Sequence, residues 1–363
     1  MEKTIATAAR ATLCGIIWAI APVVFAKAAA PGTLEIYFID VEGGQSTLVV
    51  TPEKHSLLID TGWAGDGKGF GPGDPHKARD ANRIVAAARD AGISRIDYLL
   101  ITHFHTDHDG GVSELAQLMP IRAFVDHGAP HPHAAATDSE TRDAFALYSG
   151  LRSKAERHIE PRPGDQLPLN DVEVKVVSSA GATLAKALPG AGAGVENAAC
   201  PEHARPPIDP DENPRSTGVL VRFGEFRFLD VGDLSGEPLF NLVCPRNMVG
   251  KIDAYLVAHH GGADAAEPAT FAALRPRVVM INNGLRKGGQ RALFEALHRA
   301  QGIEGVWQLH TSADAGDINF PAEYIANVDD SDAHWIELVA REDGSFRVFN
   351  GRTKQWTQYQ AKH

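Results

Sequence analysis

The chain has 363 residues, of which 44% are hydrophobic and 22% charged, and its formal net charge is −11 at pH 7. This composition is ordinary for a folded globular protein, and the length is within the reach of one large α/β unit. The acidic balance argues against a protein that binds long nucleic acids, and the lack of a polybasic run argues against binding to an anionic membrane surface.

The first residues have the pattern of an export signal. Lys3 and Arg10 give a basic start, an apolar run follows, and Ala26-Lys27-Ala28 offers a cleavage site. The apolar run is shorter than the roughly twenty residues that a membrane-spanning helix needs. We therefore predict a cleaved signal peptide over residues 1–28 and a single mature domain over residues 29–363, periplasmic or secreted and without a stable membrane anchor. Cleavage would leave 32 basic and 45 acidic side chains.

Two cysteines, Cys200 and Cys244, remain in the mature chain. In an oxidising compartment they could form a disulfide. Because sequence does not show whether two cysteines lie close together, a disulfide and two free thiols both stay open.

The first half of the mature chain begins with strands. Alternating apolar residues predict a strand pair over residues 34–41 and 46–51, and a third strand ends at Asp60-Thr61-Gly62. The Gly/Pro-rich residues 62–79 predict a long insertion without regular structure. Residues 79–91 then have the periodicity of an amphipathic helix, which leads into the next strand.

A histidine-rich motif directly follows a buried strand predicted over residues 96–101. Its pattern is H-x-H-x-D-H, formed by His103, His105, Asp107 and His108. Residues two apart in an extended segment point to the same side, so His103 and His105 can face one metal ion. Asp107 and His108 follow as the chain turns, and they suit a second, neighbouring ion. A mixed His/Asp set without thiolate fits zinc, iron or manganese.

This motif resembles the signature of the metallo-β-lactamase fold superfamily of dinuclear metal hydrolases. Two later stretches, Gly232-Asp233 and His259-His260-Gly261-Gly262, resemble the C-terminal hydrolase-like domain of the DNA-uptake competence protein ComEC and its soluble relatives. The resemblance covers residues 34–284. It implies an α/β fold of four layers, an αββα sandwich of two mixed sheets with helices outside and all ligands along one edge.

The resemblance also implies roles for residues outside the first motif. Asp60 matches a carboxylate that orients a metal-binding imidazole. Asp233 matches the carboxylate that bridges both ions. His260 matches the last ligand of the second ion; the sequence alone does not decide between it and His259, which would then contact substrate or donate a proton.

A third histidine is expected on the first ion. His127, at the end of a strand predicted over residues 121–125, is our candidate. Four other histidines compete with it, namely His131, His133, His158 and His203. His131 and His133 fall in a loop predicted over residues 129–137, where solvated side chains are the expected state.

The remaining elements are predicted from periodicity and turn signals. Helices are predicted over residues 112–119, 138–157 and 291–300, and strands over residues 172–177, 217–223, 226–230, 252–257 and 277–282. Residues 180–214, rich in Ala, Gly and Pro, predict an insertion over the site or a linker. Strands near residues 305–309, 334–339 and 346–349 are expected to complete the second half of the sandwich.

The resemblance and the ligand chemistry together predict an exported dinuclear hydrolase. Two Zn²⁺ ions, with Mn²⁺ or Fe as alternatives, would hold a bridging hydroxide that Asp107 orients. The expected substrate is a phosphodiester or related ester, either a small molecule or derived from the cell envelope. The alternatives are a lactam, lactone or thioester hydrolase, an iron-dependent sulfur dioxygenase-type oxidoreductase, and a metal-binding protein without catalysis. The sequence does not indicate the oligomeric state.

Overall fold

The computed structural model describes residues 32–67, 71–200 and 211–362. The predicted signal peptide and His203 lie outside the described residues. Within the described part, no helix has both the length and the apolar character needed to cross a membrane.

Strands and helices are numbered along the chain. The strands of the described residues are β1 (Leu34–Phe38), β2 (Thr47–Val50), β3 (Ser56–Ile59), β4 (Ile96–Leu100), β5 (Ile121–Val125), β6 (Arg157–Ile159), β7 (Gln166–Leu167), β8 (Glu173–Ser179), β9 (Ala182–Thr183), β10 (Gly218–Phe223), β11 (Phe226–Asp230), β12 (Ala254–Leu256), β13 (Val278–Ile281), β14 (Gly305–His310), β15 (Ile325–Asn327), β16 (Ile336–Ala340), β17 (Phe346–Asn350) and β18 (Gln355–Tyr359). The α-helices are α1 (Arg79–Asp90), α2 (Thr106–Asp109), α3 (Val112–Leu118), α4 (Pro132–Thr137), α5 (Ser139–Arg152), α6 (Gly236–Val243), α7 (Pro268–Leu274) and α8 (Arg291–Arg299).

The strands form two mixed sheets. The first has the order β18-β17-β16-β1-β2-β3-β4-β5-β6, antiparallel at one end and parallel from β3 to β6. The second has the order β15-β14-β13-β12-β11-β10-β8-β7, with β9 paired to β8, and is parallel from β11 to β15. Parallel strands end at the same edge of a sheet, so the loops that follow them are brought together.

Three buried apolar layers pack the two sheets and the helices together. The central layer lies between the sheets and includes Ile36 and Phe38 from the first and Phe228 and Trp307 from the second. A second layer packs helices α1, α3 and α5 on the first sheet, and a third packs α6, α7 and α8 on the other. Burying apolar surface on both faces of each sheet is the main stabilising term of such a sandwich. The predicted αββα architecture is therefore confirmed.

The end of the chain folds differently from the sequence-based expectation. β14 completes the second sheet as expected, whereas β16, β17 and β18 extend the first sheet. β16 pairs antiparallel with β1, with Leu34 opposite Ala340. Residue alternation indicates a strand and its buried face, but it does not specify the partner strand, which is why the prediction was wrong.

Several local elements also differ. The predicted loop over residues 129–137 contains α4, which begins with Pro132 at its first position and has the His131 side chain accepting a hydrogen bond from His133 N–H. The helix predicted over residues 138–157 ends at Arg152, and β6 follows. Helices α6 and α7 were not predicted. Cys200 and Cys244 form a disulfide that ties the insertion to the end of α6.

Candidate metal centre

The motif residues are placed by a sharp turn after β4. His105 lies on extended backbone, and α2 begins immediately after it. Two glycines let this turn pack closely against residues 61–64: a Cβ on Gly110 would lie 2.8 Å from Ala64 N, and one on Gly111 would lie 2.4 Å from Thr61 O.

Four buried side chains converge from both sheets. Asp107, His108, Asp233 and His260 each offer one ligand atom, and these atoms all lie within 4.8 Å of one another. Asp233 Oδ2 lies 3.3 Å from His108 Nε2 and 3.2 Å from His260 Nε2. His260 Nε2 also lies 3.0 Å from Asp107 Oδ2. These are the three residues predicted for the second ion together with the predicted bridging Asp233, and His260 rather than His259 belongs to the cluster.

The first two histidines of the motif form the neighbouring half of the site. His103 Nε2 and His105 Nδ1 lie 2.9 Å apart, and His103 Nε2 lies 3.9 Å from Asp233 Oδ2. His103 is fully buried, whereas 24% of the His105 side chain is exposed. Asp233 is thus in reach of both halves, as the bridging role requires, and His105 is the partly exposed member of the pair His103 and His105.

The ring nitrogens that face away from the centre are held by other side chains. Asp60, in a left-handed conformation with φ 62°, accepts from His108 Nδ1 at 2.7 Å and from Thr102 N–H at 2.7 Å. Thr102 Oγ1 in turn lies 3.1 Å from His103 Nδ1. Such contacts fix the orientation of a metal-binding imidazole.

His127 is placed differently. Its Nε2 lies 3.0 Å from Glu212 Oε2, and its Nδ1 lies 3.5 Å from Arg215 Nη2. His127 is, like His103, His105 and His259, outside the groups of clustered metal-binding side chains found among residues 32–67, 71–200 and 211–362. Its role as a ligand of the first ion therefore stays a prediction. Of its competitors, His158 contacts Asp126, and His131 and His133 lie at the start of α4.

A short segment that sequence reasoning missed lies against the first half of the site. Asp211 Oδ1 is 3.4 Å from His105 Nε2, Ser216 Oγ is 3.4 Å from His103 Nδ1, and Asn213 Nδ2 is 3.3 Å from His259 Nε2. The only sequence signal was the run Asp211-Glu212-Asn213 between a Pro-rich stretch and a strand. Its partners are distant in the chain, so spacing gave no indication of them.

A lysine was also missed. Lys287 Nζ contacts Asp107 Oδ2, donates to Gly43 O at 2.8 Å and lies 5.0 Å from the centre of the Trp63 ring. The Lys287 side chain is 42% exposed, so its charge can also meet a molecule at the mouth of the site.

The electrostatics keep the central carboxylates ionised. Burial by itself raises the pKa of Asp107 and Asp233. Cationic neighbours outweigh it, chiefly Lys287 and His108 for Asp107, and His108 and His260 for Asp233, and hold both pKa values well below the usual range. Carboxylates must be deprotonated to bind a metal ion.

The pKa values of the two buried motif histidines, His103 and His108, shift in opposite directions. Burial and the neighbouring charges of His108 and His105 hold the pKa of His103 well below its usual value. Burial also lowers the pKa of His108, but the charges of Asp233, Asp107 and Asp60 outweigh it and raise that pKa well above the usual range.

The donor set fits two divalent cations. Asp233 Oδ1 and His260 Nδ1 are buried with no hydrogen-bond partner among the described residues. An unpartnered buried carboxylate oxygen is costly, and a cation removes that cost. Imidazole nitrogens with carboxylate oxygens suit zinc, iron or manganese. His103 and His105 would hold one ion and Asp107, His108 and His260 the other, with Asp233 between them.

Comparison with known proteins agrees with this geometry. Residues 39–196 match the family description Metallo-beta-lactamase superfamily. Residues 39–196 therefore match a metallo-β-lactamase superfamily domain, and the predicted superfamily is confirmed at this level. A comparison with curated proteins gives no match, and the predicted closeness to ComEC-type domains stays a prediction.

Solved structures show more distant likeness. A metallo-β-lactamase mutant from Cronobacter sakazakii is 19% identical over 57% of this chain and 63% of its own, with a TM-score of 0.33. Igni18, a metallo hydrolase from Ignicoccus hospitalis, is 14% identical over 75% of this chain and 94% of its own, with a TM-score of 0.41. CmlA, a diiron β-hydroxylase from Streptomyces venezuelae, is 16% identical over 77% of this chain and 53% of its own, with a TM-score of 0.43. The chain thus spans less than two thirds of the first and third of these proteins.

Proposed function

We propose that this protein is an exported, dinuclear metal-dependent hydrolase that acts on a phosphodiester or related ester. The single observation that carries the proposal is the position of Asp233 Oδ2, which lies 3.9 Å from His103 Nε2, 3.3 Å from His108 Nε2 and 3.2 Å from His260 Nε2. Two ions held there would supply a nucleophilic water of lowered pKa and a positive field for the developing oxyanion.

The chain's own residues supply orientation and protection from bulk water. Asp107, ionised and buried beside the centre, would orient the attacking water. His259 Nε2 lies 3.8 Å from Asp233 Oδ2 on the more exposed side, where a substrate would enter. The buried walls of the site keep the nucleophile in a fixed position relative to the substrate.

The position of Lys287 favours a substrate that carries an anionic group. Its partly exposed ammonium lies beside Asp107 and above the Trp63 ring, where it can pair with a phosphodiester oxygen. The net charge of −11 makes a long nucleic acid a poor partner, so we propose a small or envelope-derived ester.

Metal content and substrate class test this proposal together. Elemental analysis of the purified mature protein should give two zinc or manganese ions per chain, and an aryl phosphodiester should be cleaved faster than a chromogenic lactam or lactone. His105→Ala should lose metal and activity, whereas His298→Ala, on α8, should keep both. Preference for the lactam or lactone would move the protein to acyl chemistry on the same site, and iron would move it to oxygen or sulfur chemistry. Failure to bind metal after reconstitution would overturn the proposal.

A further inference from the structure

Two histidines of the centre share one arrangement. His108 turns Nδ1 to Asp60 at 2.7 Å and Nε2 to the centre. His105 turns Nε2 towards Asp211 at 3.4 Å and Nδ1 to the centre, 2.9 Å from His103. In each ring an outer carboxylate accepts the ring proton, which leaves the inner nitrogen as a lone-pair donor.

His259 has the same arrangement. Its Nδ1 lies 2.8 Å from Asp264 Oδ2, and its Nε2 lies 3.8 Å from Asp233 Oδ2. His103 Nε2 lies at nearly the same distance, 3.9 Å, from that oxygen. Because Asp264 accepts the Nδ1 proton, Nε2 keeps its lone pair, which faces Asn213 Nδ2 at 3.3 Å and lies on the side of Asp233.

The backbone conformation around His259 orients its ring. His259 and His260 both have left-handed conformations, with φ 52° and 51°, which non-glycine residues adopt only when the surroundings impose them. His259 N–H donates to Gly232 O at 3.1 Å, next to Asp233 in the chain. A Cβ on Gly262 would lie 2.5 Å from Asp264 Oδ1, so glycine leaves room for the Asp264–His259 pair.

His127 lacks this arrangement. Glu212, which holds its Nε2, also accepts from the backbone N–H groups of Phe104 and His131, so the carboxylate is fixed in place. The other ring nitrogen lies 3.5 Å from the Arg215 guanidinium. A divalent cation there would be repelled by that charge.

We infer that His259, rather than His127, is the third imidazole of the first ion, and that Asp264 is its positioning carboxylate. The first ion would then have His103, His105 and His259, and the second Asp107, His108 and His260, with Asp233 shared. This inference rests on the proposed dinuclear centre, and it replaces the substrate-side role of His259 with a ligand role.

The test uses two neighbouring variants with the same backbone conformation, His259→Asn and His260→Asn. Asparagine tolerates left-handed backbone, and its shorter side chain ends before the position of Nε2. After equilibration at one fixed free zinc concentration, the wild type should hold two ions per chain and each variant one. With cobalt as the probe, the remaining ion should differ in its visible spectrum, since it has three imidazoles in His260→Asn and two in His259→Asn.

Two further variants separate a ligand from a structural residue. Asp264→Asn should keep the fold and weaken binding of one ion by roughly ten- to a hundredfold. His127→Asn should keep two ions with wild-type affinity.

The outcomes distinguish this inference from the proposed function. Two ions at unchanged affinity in His259→Asn, or loss of one ion in His127→Asn, would overturn the inference while the dinuclear hydrolase stands. A wild type that holds fewer than two ions at saturating zinc would overturn the proposed function itself.

Discussion

Asp60 Oδ2 lies 2.7 Å from His108 Nδ1, and both side chains are fully buried. Replacing Asp60 by Asn leaves one acceptor for Thr102 N–H and removes the acceptor for the imidazole. We expect Asp60→Asn to weaken metal binding by roughly ten- to a hundredfold, because the ring loses its orientation and part of its basicity. Competition with a chromophoric chelator measures this.

The matched control for this prediction is Asp97→Asn. Asp97 is also a buried carboxylate of the first sheet, but it lies near the start of β4, away from the metal centre. It accepts hydrogen bonds from Ser56 N–H and Arg95 Nε. Asp97→Asn should change stability and leave metal affinity as in the wild type. Equal metal affinity in the Asp60 and Asp97 variants would contradict an orienting role for Asp60.

Lys287 gives a prediction about substrate choice. If its ammonium pairs with an anionic group, Lys287→Met should raise KM for an aryl phosphodiester by roughly ten- to a hundredfold, the value of a hydrogen bond between charged groups. A neutral lactone should show no such increase, and Lys287→Arg should restore most of the loss. Steady-state kinetics on both substrates decide this, and an equal change in KM for both would contradict it.

The first motif illustrates what sequence could predict about the site. His103, His105, Asp107 and His108 lie within six residues, so the spacing and the preceding strand sufficed to predict that they share a centre. The assignment of Asp233 and His260 was implied by the family resemblance of two strand ends. In the structure both side chains lie next to Asp107 and His108.

The contacts that sequence could not predict join distant segments. Asp211 and His105 are separated by 106 positions, and Asp211 follows a stretch with no periodicity. Similarly, Lys287 comes to Asp107 from a loop after β13, and nothing in its neighbourhood marks it as part of the site. Such contacts depend on how the two sheets pack, which local patterns do not determine.

The buried Asp230 gives a prediction about pH. Burial raises the pKa of Asp230 to about 7, from an ordinary value of 3.8 for an aspartate. The folded state therefore binds more protons than the unfolded state between these values, and Asp230 lowers stability as pH rises through this window. For chelator-treated protein we expect Asp230 to cost about 4 kcal/mol of stability at pH 8 relative to pH 4.

Asp230→Asn tests this in urea unfolding at several pH values. Asparagine can still accept from Gln45 and Gly232 N–H but stays neutral. The variant should be more stable than the wild type at pH 8 and nearly equal to it at pH 4. A difference in stability that does not change with pH would contradict the raised pKa.

The disulfide gives the last prediction. Cys200 and Cys244 are separated by 44 positions, and the segment between them carries Asp233 and the residues around Asn213 that contact the first half of the site. A cross-link over such a loop lowers the conformational entropy of the unfolded chain. In the loop-closure account this stabilises the folded state by about 4 kcal/mol. We therefore expect a double Cys→Ser variant of the mature chain to lose about that much in urea unfolding. Reductant should destabilise the wild type to the same level and leave the variant unchanged, and a wild type insensitive to reductant under unfolding conditions would show that the pair contributes nothing.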